Sequence, residues 1–286
     1  MCPFLITRFE KYFVQILQLS LHELMIDLTL LQTTSSFVIA SLVFILIIFA
    51  YWFGHKVRKV AIRKDPEHTK IDVKTINGML IGLLGLLLAF TFSMSNSRFD
   101  DRRHLIIEEA NIIGTTVLRT DMYPDSMRTL LRSTLKDYVE HRIAFYNAGM
   151  DLPKVMAEYQ AGQAVSAKVW RIATDYAKKD DATTRTSQLI PSINEMIDIT
   201  STRLAAGEGT IPDSIMYFLF ALCGCVAFLL GYDHNGKFDW IVIVGFSITL
   251  SATVFTIVDL DRPRSGLIDM DGPNRKIVEL RQMFNE

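Results

Sequence analysis

The chain has 286 residues, half of them apolar, and its mean hydropathy is +0.24. This composition excludes an ordinary soluble enzyme and indicates a protein that crosses the membrane several times. The formal net charge is only −1, so nothing favours nucleic acid as a partner. The chain has no glycine-rich phosphate loop, zinc motif or nucleophile motif. We therefore expect no enzymatic activity, no metal site and no cofactor.

The membrane part of the chain is predicted from four apolar runs. Residues 1–36 come first, and their mixture of apolar and charged positions at helical spacing predicts an amphipathic helix on the membrane surface. Each apolar run is long enough to cross a hydrocarbon core of about 30 Å. The runs are Phe37–Phe53, Ile76–Met94, Ser214–Tyr232 and Phe238–Val258. They define two membrane pairs, 37–94 and 214–258, and the first pair is joined by a polar connection at His55–Thr75.

The soluble insertion 95–213 is predicted to be entirely helical. The second span continues into it without a helix breaker, so one helix is expected from Ile76 to about Thr120. One-sided apolar stripes predict further helices that begin at Pro124, cover Leu152–Lys178 and begin at Pro191. The fold class is therefore all-α: a polytopic membrane protein with four transmembrane helices, a helical soluble insertion between the second and third, and a soluble tail at 259–286.

One face of the second span changes from bulky apolar to hydroxylated side chains. This face carries Gly82, Leu86, Phe90, Ser93 and Ser97. Such a face can line an aqueous path that narrows to a dry constriction at Leu86 and Phe90, where rings of apolar residues gate ions by dewetting. The alternative is ordinary contact with lipid or a neighbouring helix, because apolar residues in a span need no special explanation.

A charged junction follows the second span. Arg98, Asp101 and Arg103 crowd about one helical turn there. They form either a solvated end of the span with local ion pairs or a charged vestibule below the constriction, which would set the potential for passing ions.

Two polar residues, Glu109 and Asn111, lie further along the same helix in apolar surroundings. Buried polar groups need partners, and Arg119 or Arg142 would serve Glu109. A structural polar network is favoured over catalysis, since no His or Cys lies with these residues to make a nucleophile or a metal site.

The end of the fourth span is predicted to turn. Pro263 and Gly266 stop the helix and reverse the chain just after Asp261. Asp259 and Asp261 offer two carboxylates, but a cation site needs more oxygen ligands than these.

Three stretches together resemble bacterial bestrophin-type channels and, most closely, the bestrophin-like family of bacterial membrane proteins. They are the apolar run Leu86–Phe90 with the charged Arg98–Arg103 after it, the segment Glu109–Asn111, and the turn Asp261–Gly266. The order of two spans, a helical insertion, two spans and a short tail resembles that family over nearly the whole chain.

The resemblance implies a homopentameric ion channel whose second helix lines the pore. Leu86 and Phe90 then belong to a hydrophobic neck, and Gly82 falls where a third neck residue is expected. The implied partners are other copies of the chain, membrane lipid and small ions. The resemblance also places the insertion and both termini in the cytoplasm of a bacterium, with the spans in its inner membrane.

Two further expectations concern ions. Only Asp269 and Asp271 follow the turn, so no acidic calcium clasp is expected. Asp100, Asp101 and Glu108 would favour cations near the path. The competing hypothesis for the whole chain is a membrane-anchored helical scaffold or sensor that binds a cytosolic partner and does not conduct.

Overall fold

The computed structural model describes residues 34–64, 73–178, 183–234, 240–262, 264 and 266–285. The amphipathic helix predicted for 1–36 lies almost wholly outside these residues, and so does Pro263. The described ranges contain helices and no strand, which confirms the all-α fold class. The helices are α1 Ser36–Lys64, α2 Lys74–Arg119, α3 Asp125–Asn147, α4 Leu152–Ala177, α5 Thr183–Glu208, α6 Asp213–Asp233, α7 Trp240–Asp261 and α8 Asp271–Glu279, with 3-10 turns at Thr120–Met122 and Leu280–Phe284.

Four of the described helices are long and apolar enough to cross a membrane, and the protein is a membrane protein. The four predicted spans lie in α1, α2, α6 and α7. Helix α2 has 46 residues, which corresponds to about 69 Å of helix. This length is about twice that of a hydrocarbon core, as the unbroken pattern from Ile76 to about Thr120 predicts.

Two predicted boundaries are wrong. The connection expected to begin at His55 is helical as far as Lys64, because the segment contains no Pro or Gly and Arg58 donates a 2.6 Å hydrogen bond from Nη1 to the carbonyl oxygen of Tyr232. Helix α5 begins at Thr183, so Pro191 lies inside it and does not open it. Proline lacks the backbone donor that would bond the carbonyl oxygen four residues earlier, that of Ser187, and the helix continues through this missing bond.

The chain divides into two compact units, and the first comprises the described parts of Met1–Ile81 and Pro212–Phe255. In this unit α1 lies along α6. The buried side chains of α1 recur every four residues, as one helix face requires: Ile39, Val43, Ile47 and Tyr51. Gly54 and Gly231 allow close approach, since a Cβ on Gly54 would meet the carbonyl of Phe228 and one on Gly231 the carbonyl of Tyr51.

The second unit comprises the described parts of Gly82–Ile211 and Thr256–Glu286. Its core joins the later part of α2 to α3, α4, α5 and the C-terminal segment. Central members are Ile113, Val117, Leu131, Leu135, Val169, Ile193, Met196 and Ile277. The predicted stripe of α3 contributes buried residues from Met127 to Ile143, and that of α4 contributes Val169. The unit therefore folds around α2 as a helical bundle.

Candidate pore helix and charged junction

The face of α2 predicted to line a path is exposed along its whole length in the single chain. Gly82, Leu86, Phe90, Ser93 and Ser97 are all exposed. Of the two large side chains, Phe90 is 62% exposed and Leu86 is 53% exposed. Such a row of unpaired apolar side chains meets lipid, a second copy of the chain or the lumen of an oligomer.

The opposite face of the same helix is buried. Leu84, Thr91 and Ser95 lie there, and Ser95 donates a 2.9 Å hydrogen bond from Oγ to the carbonyl oxygen of Ile257. The serines of this region therefore have two environments. Ser95 is buried inside the protein, whereas Ser93 and Ser97 are exposed on the same face as Phe90. The predicted lining residues therefore take no part in the internal packing of the second unit.

The exposed face continues into the charged junction with a spacing of three or four residues. After Ser97 it carries Asp101, His104, Glu108 and Asn111, all exposed. Arg103 is exposed on a different side of the helix, and Arg98 is half-buried. The junction residues singled out in the sequence are thus not one cluster, and His104 and Glu108 belong with Asp101.

The residue that organises the junction is Arg102. Its side chain is only 4% exposed and donates to four backbone carbonyl oxygens. The acceptors and distances are Ala206 at 3.1 Å, Gly209 at 2.8 Å, Leu260 at 3.2 Å and Asp261 at 3.0 Å. These carbonyls belong to the C-terminal ends of α5 and α7, where the last turn lacks backbone donors and a cation is favourable. Arg102 therefore closes two helix ends at once.

The second buried charge on α2 is Glu109, which lies beyond Met94, where the predicted span ends. Its carboxylate is fully buried and pairs with Arg142 and Arg203. Nη2 of Arg142 donates to Oε2 at 3.2 Å, and Arg203 continues through Nη2 to Oδ1 of Asn274 at 2.8 Å. Three helices thus meet at one carboxylate, and Asn274 adds a fourth segment through Arg203.

The electrostatic balance at Glu109 keeps it ionised. Burial alone would raise the pKa of this carboxyl group, but the charges and hydrogen bonds of Arg142 and Arg203 outweigh burial and lower its pKa to about 2. Of the two partners predicted for Glu109, Arg142 forms the pair, whereas Arg119 donates to the carbonyl oxygen of Gln188. Asn111 is exposed and takes no part in the network.

A spacing of seven residues could have revealed this buried polar line from the sequence. Ser95, Arg102, Glu109 and Thr116 follow one another at that interval, and all four are buried. Seven residues are nearly two helical turns, so the four share one face. The apolar context indicated both Glu109 and Asn111. The seven-residue interval includes only Glu109, which is buried, and leaves out Asn111, which is exposed.

The carboxylates of Asp259 and Asp261, at the end of α7, bind backbone N–H groups of the neighbouring segments. Oδ2 of Asp261 accepts the N–H of Ile211 at 2.9 Å. Oδ2 of Asp259 accepts the N–H groups of Leu267 and Ile268, each at 2.9 Å. Gly266 has φ +124°, and a Cβ there would collide with the Asp259 carboxylate. Each carboxylate thus organises backbone, and among the described residues no group of three possible metal ligands occurs.

Comparison with protein families gives a match to the Bestrophin-like domain over residues 35–270. Comparison with solved structures gives a bacterial bestrophin homologue from Klebsiella pneumoniae with an isoleucine-to-threonine substitution, at 11% identity and a TM-score of 0.66, covering 85% of this chain and 99% of that one. A leucine-to-threonine variant of the homologue has 16% identity and a TM-score of 0.62, with coverages of 83% and 97%. The comparison with curated proteins found no match.

The structural matches establish the fold, and the family match covers most of the chain. Together with the all-helical architecture and the four membrane-length helices, they agree with the resemblance seen in the sequence. The chain belongs to the Bestrophin-like family.

Proposed function

We propose that the chain is a homo-oligomeric ion channel, a pentamer as the family resemblance suggests, with copies of α2 arranged around the conducting path. Leu86 and Phe90 form a dry neck, with Gly82 at one end of it. Ser93 and Ser97 begin the wider, hydrated part. The membrane pairs 37–94 and 214–258 surround this path in contact with lipid, and the insertion 95–213 extends it outside the bilayer.

The observation that carries this proposal is the division of α2 into two faces. Polar residues that a membrane helix must bury, such as Thr91 and Ser95, are buried within the chain. The exposed row instead changes from Leu86 and Phe90 to Ser93 and Ser97, in that order along the helix. A pore requires it, because a narrow apolar ring blocks ions and a hydroxylated segment lets them rehydrate.

The charged continuation of the same face supports an extended vestibule. Asp101 and Glu108 would form acidic rings in an oligomer, which raise the local concentration of cations. We place this vestibule, together with the insertion and both termini, in the cytoplasm of a bacterium with the spans in its inner membrane. The ions that pass are then small cations, and the chain needs no catalytic group or cofactor for this task.

The deciding experiment measures ion flux from liposomes that contain the purified protein. The parent chain should conduct, and the double variant Leu86→Ala with Phe90→Ala should conduct faster, because widening an apolar neck lowers the barrier to wetting. Phe92→Ala is the matched control: Phe92 is 42% exposed but lies about 160° away from Phe90 around the helix.

Two results would contradict the channel. One is the absence of flux in both the parent and the double variant, and the other is an equal rise in the Phe92 control. The mass of the protein in detergent provides an independent check, since a closed ring requires several copies. A monomer without conductance would favour a membrane-anchored scaffold that binds a cytosolic partner.

A further inference from the structure

A cavity of about 230 Å³ lies in the second unit, away from the exposed face of α2. The end of α3 contributes one wall, and the segment after α7 contributes the other. The lining residues are Tyr146, Asn147, Gly149, Arg264, Gly266, Ile268 and Asp269. The neck and vestibule described above make no use of this space. It is large enough for a small organic or inorganic ion, and Arg264 brings a formal positive charge to its wall.

Arg264 is held in a fixed orientation that leaves part of its guanidinium unused. Nη1 donates to the carbonyl oxygens of Phe145 and Gly149, at 3.2 and 3.4 Å. The guanidinium carbon lies 4.5 Å from the centre of the Phe145 ring. Within the described part of the chain, Nε and Nη2 have no hydrogen-bond partner. These two donors form one edge of the guanidinium, the edge that binds both oxygens of a carboxylate or phosphate.

Two more arginines lie near Arg264, around the same aromatic ring. Arg142 also stacks on Phe145, at 4.5 Å, and Arg203 lies 5.8 Å from the same ring. Glu109 is the carboxylate that serves those two arginines, and no carboxylate of the described residues forms an ion pair with Arg264. Burial, followed by repulsion from Arg203 and Arg142, lowers the pKa of Arg264 to about 10. It stays charged at neutral pH without a counter-ion.

The acidic groups on the other side of the cavity are held by other donors. Asp271 accepts a hydrogen bond from the hydroxyl of Tyr146. Asp269 is exposed, and its Oδ1 accepts the N–H of Asp271 at 3.1 Å. Both carboxylates therefore have local partners, while the open edge of Arg264 has none among the described residues.

We propose that this cavity binds a small oxyanion, a carboxylate or phosphate ligand, through the Nε and Nη2 edge of Arg264. The ligand completes the hydrogen bonding of a guanidinium that is already oriented by Phe145 and two carbonyl groups. It also pairs with the one arginine of this cluster that contacts no carboxylate among the described residues. Ile268 provides an apolar wall, which suits a ligand with a short carbon skeleton as well as an inorganic ion. The site is independent of whether the chain conducts ions.

Titration calorimetry on the full-length protein in detergent tests the proposal, with inorganic phosphate and acetate as probes and chloride at equal ionic strength as reference. Heat of binding is expected for at least one probe and not for chloride. Arg264→Gln should weaken that binding by about tenfold or more, since it removes a charge-assisted pair of hydrogen bonds. Arg281→Gln is the control, because Arg281 is an exposed arginine paired with Glu140 and should leave the affinity unchanged.

Asp269→Asn keeps the test decisive even if the Arg264 variant fails to fold. The substitution retains the oxygen that accepts from Asp271 but removes a carboxylate from the cavity wall. An anion should then bind several-fold more tightly, whereas a cation site would lose affinity. The proposal is overturned if neither probe binds, if Arg281→Gln weakens binding as much as Arg264→Gln, or if Asp269→Asn weakens it.

Discussion

Arg102 and Asp261 are joined by a hydrogen bond to the backbone, and their charged groups form no direct ion pair. Nη2 of Arg102 donates to the main-chain carbonyl oxygen of Asp261 at 3.0 Å, while the carboxylate of Asp261 accepts the N–H of Ile211 at 2.9 Å. The arginine therefore acts as a clamp on helix ends, and the aspartate fixes the start of the next segment. Neither group is left for an ion path, although the sequence places both next to membrane spans.

Loss of the Arg102 clamp should destabilise the second unit strongly. Arg102→Ala leaves four buried or half-buried carbonyl oxygens without their donor, so we expect a loss on the order of 3 kcal/mol in the free energy of unfolding. Arg102→Lys should recover only part of it, because an ammonium group lacks the planar fork. Thermal unfolding in detergent measures both. Arg103→Ala, the exposed neighbour, should change little, and an equal effect of the two alanine variants would refute the clamp.

Glu109 should make the protein sensitive to acid. The folded pKa of Glu109, about 2, lies below its ordinary value of 4.5, so its contribution to stability is complete above pH 4.5 and is lost as the pH falls towards 2. Linkage predicts that about 1 kcal/mol disappears between about pH 6 and pH 3.5. Denaturant unfolding across this range should show the decline.

Glu109→Gln distinguishes the contribution of this carboxyl group to the pH dependence from that of the other carboxyl groups. The variant should be less stable at neutral pH, by about 3 kcal/mol or more, since it leaves two buried arginines without a carboxylate. It should also lose less stability than the parent between pH 6 and pH 3.5. Glu108→Gln makes the same chemical change at an exposed position, and it should keep both the stability and the slope of the parent.

The turn after α7 should tolerate only glycine at position 266. Gly266→Ala places a methyl group against the Asp259 carboxylate at a φ of +124°, and we expect a loss of about 2 kcal/mol or more. Gly272→Ala should be neutral or slightly stabilising, because a Cβ at this helical glycine meets nothing within 4 Å. Similar melting temperatures for the two variants would mean that the turn is not under this constraint.

The acidic residues on the exposed face of α2 should set ionic preference if α2 lines a channel. Asp101→Asn together with Glu108→Gln removes two charges from every copy, which lowers the attraction of the vestibule for cations. The reversal potential under a salt gradient should move towards the value for an unselective pore. Asp137→Asn changes an exposed carboxylate of α3 and should leave the potential unaltered. A shift with the control but not with the double variant would place the selective charges elsewhere.

Helix α2 and the stripes of α3 and α4 could be predicted from the sequence because they depend on local patterns. Apolar spacing and the absence of breakers are visible within a window of some twenty residues. The beginning of α5 could not be predicted in this way. A proline is a common first residue of a helix, and no local pattern shows that the helix already begins at Thr183.

The residues of the candidate sites also differ in whether a local pattern predicts them. The exposed row through Leu86 and Phe90 follows from helical geometry alone. The second partner of Glu109 does not, since Arg203 lies 94 residues further along the chain and any of several arginines would have fitted. The role of Arg102 could not be predicted for a related reason. Its partners are backbone carbonyl groups, which every residue has, so the sequence does not identify them.

The network around Glu109 also sets an order of events during synthesis. Glu109 leaves the ribosome before Arg142, Arg203 follows much later, and Asn274 emerges only after all four membrane helices. Until then Arg203 lacks the last of its hydrogen-bond partners, so the charged groups of the nascent insertion must stay hydrated. A protein truncated before Asn274 should therefore remain open to proteases and chaperones, even though every membrane helix has already been made.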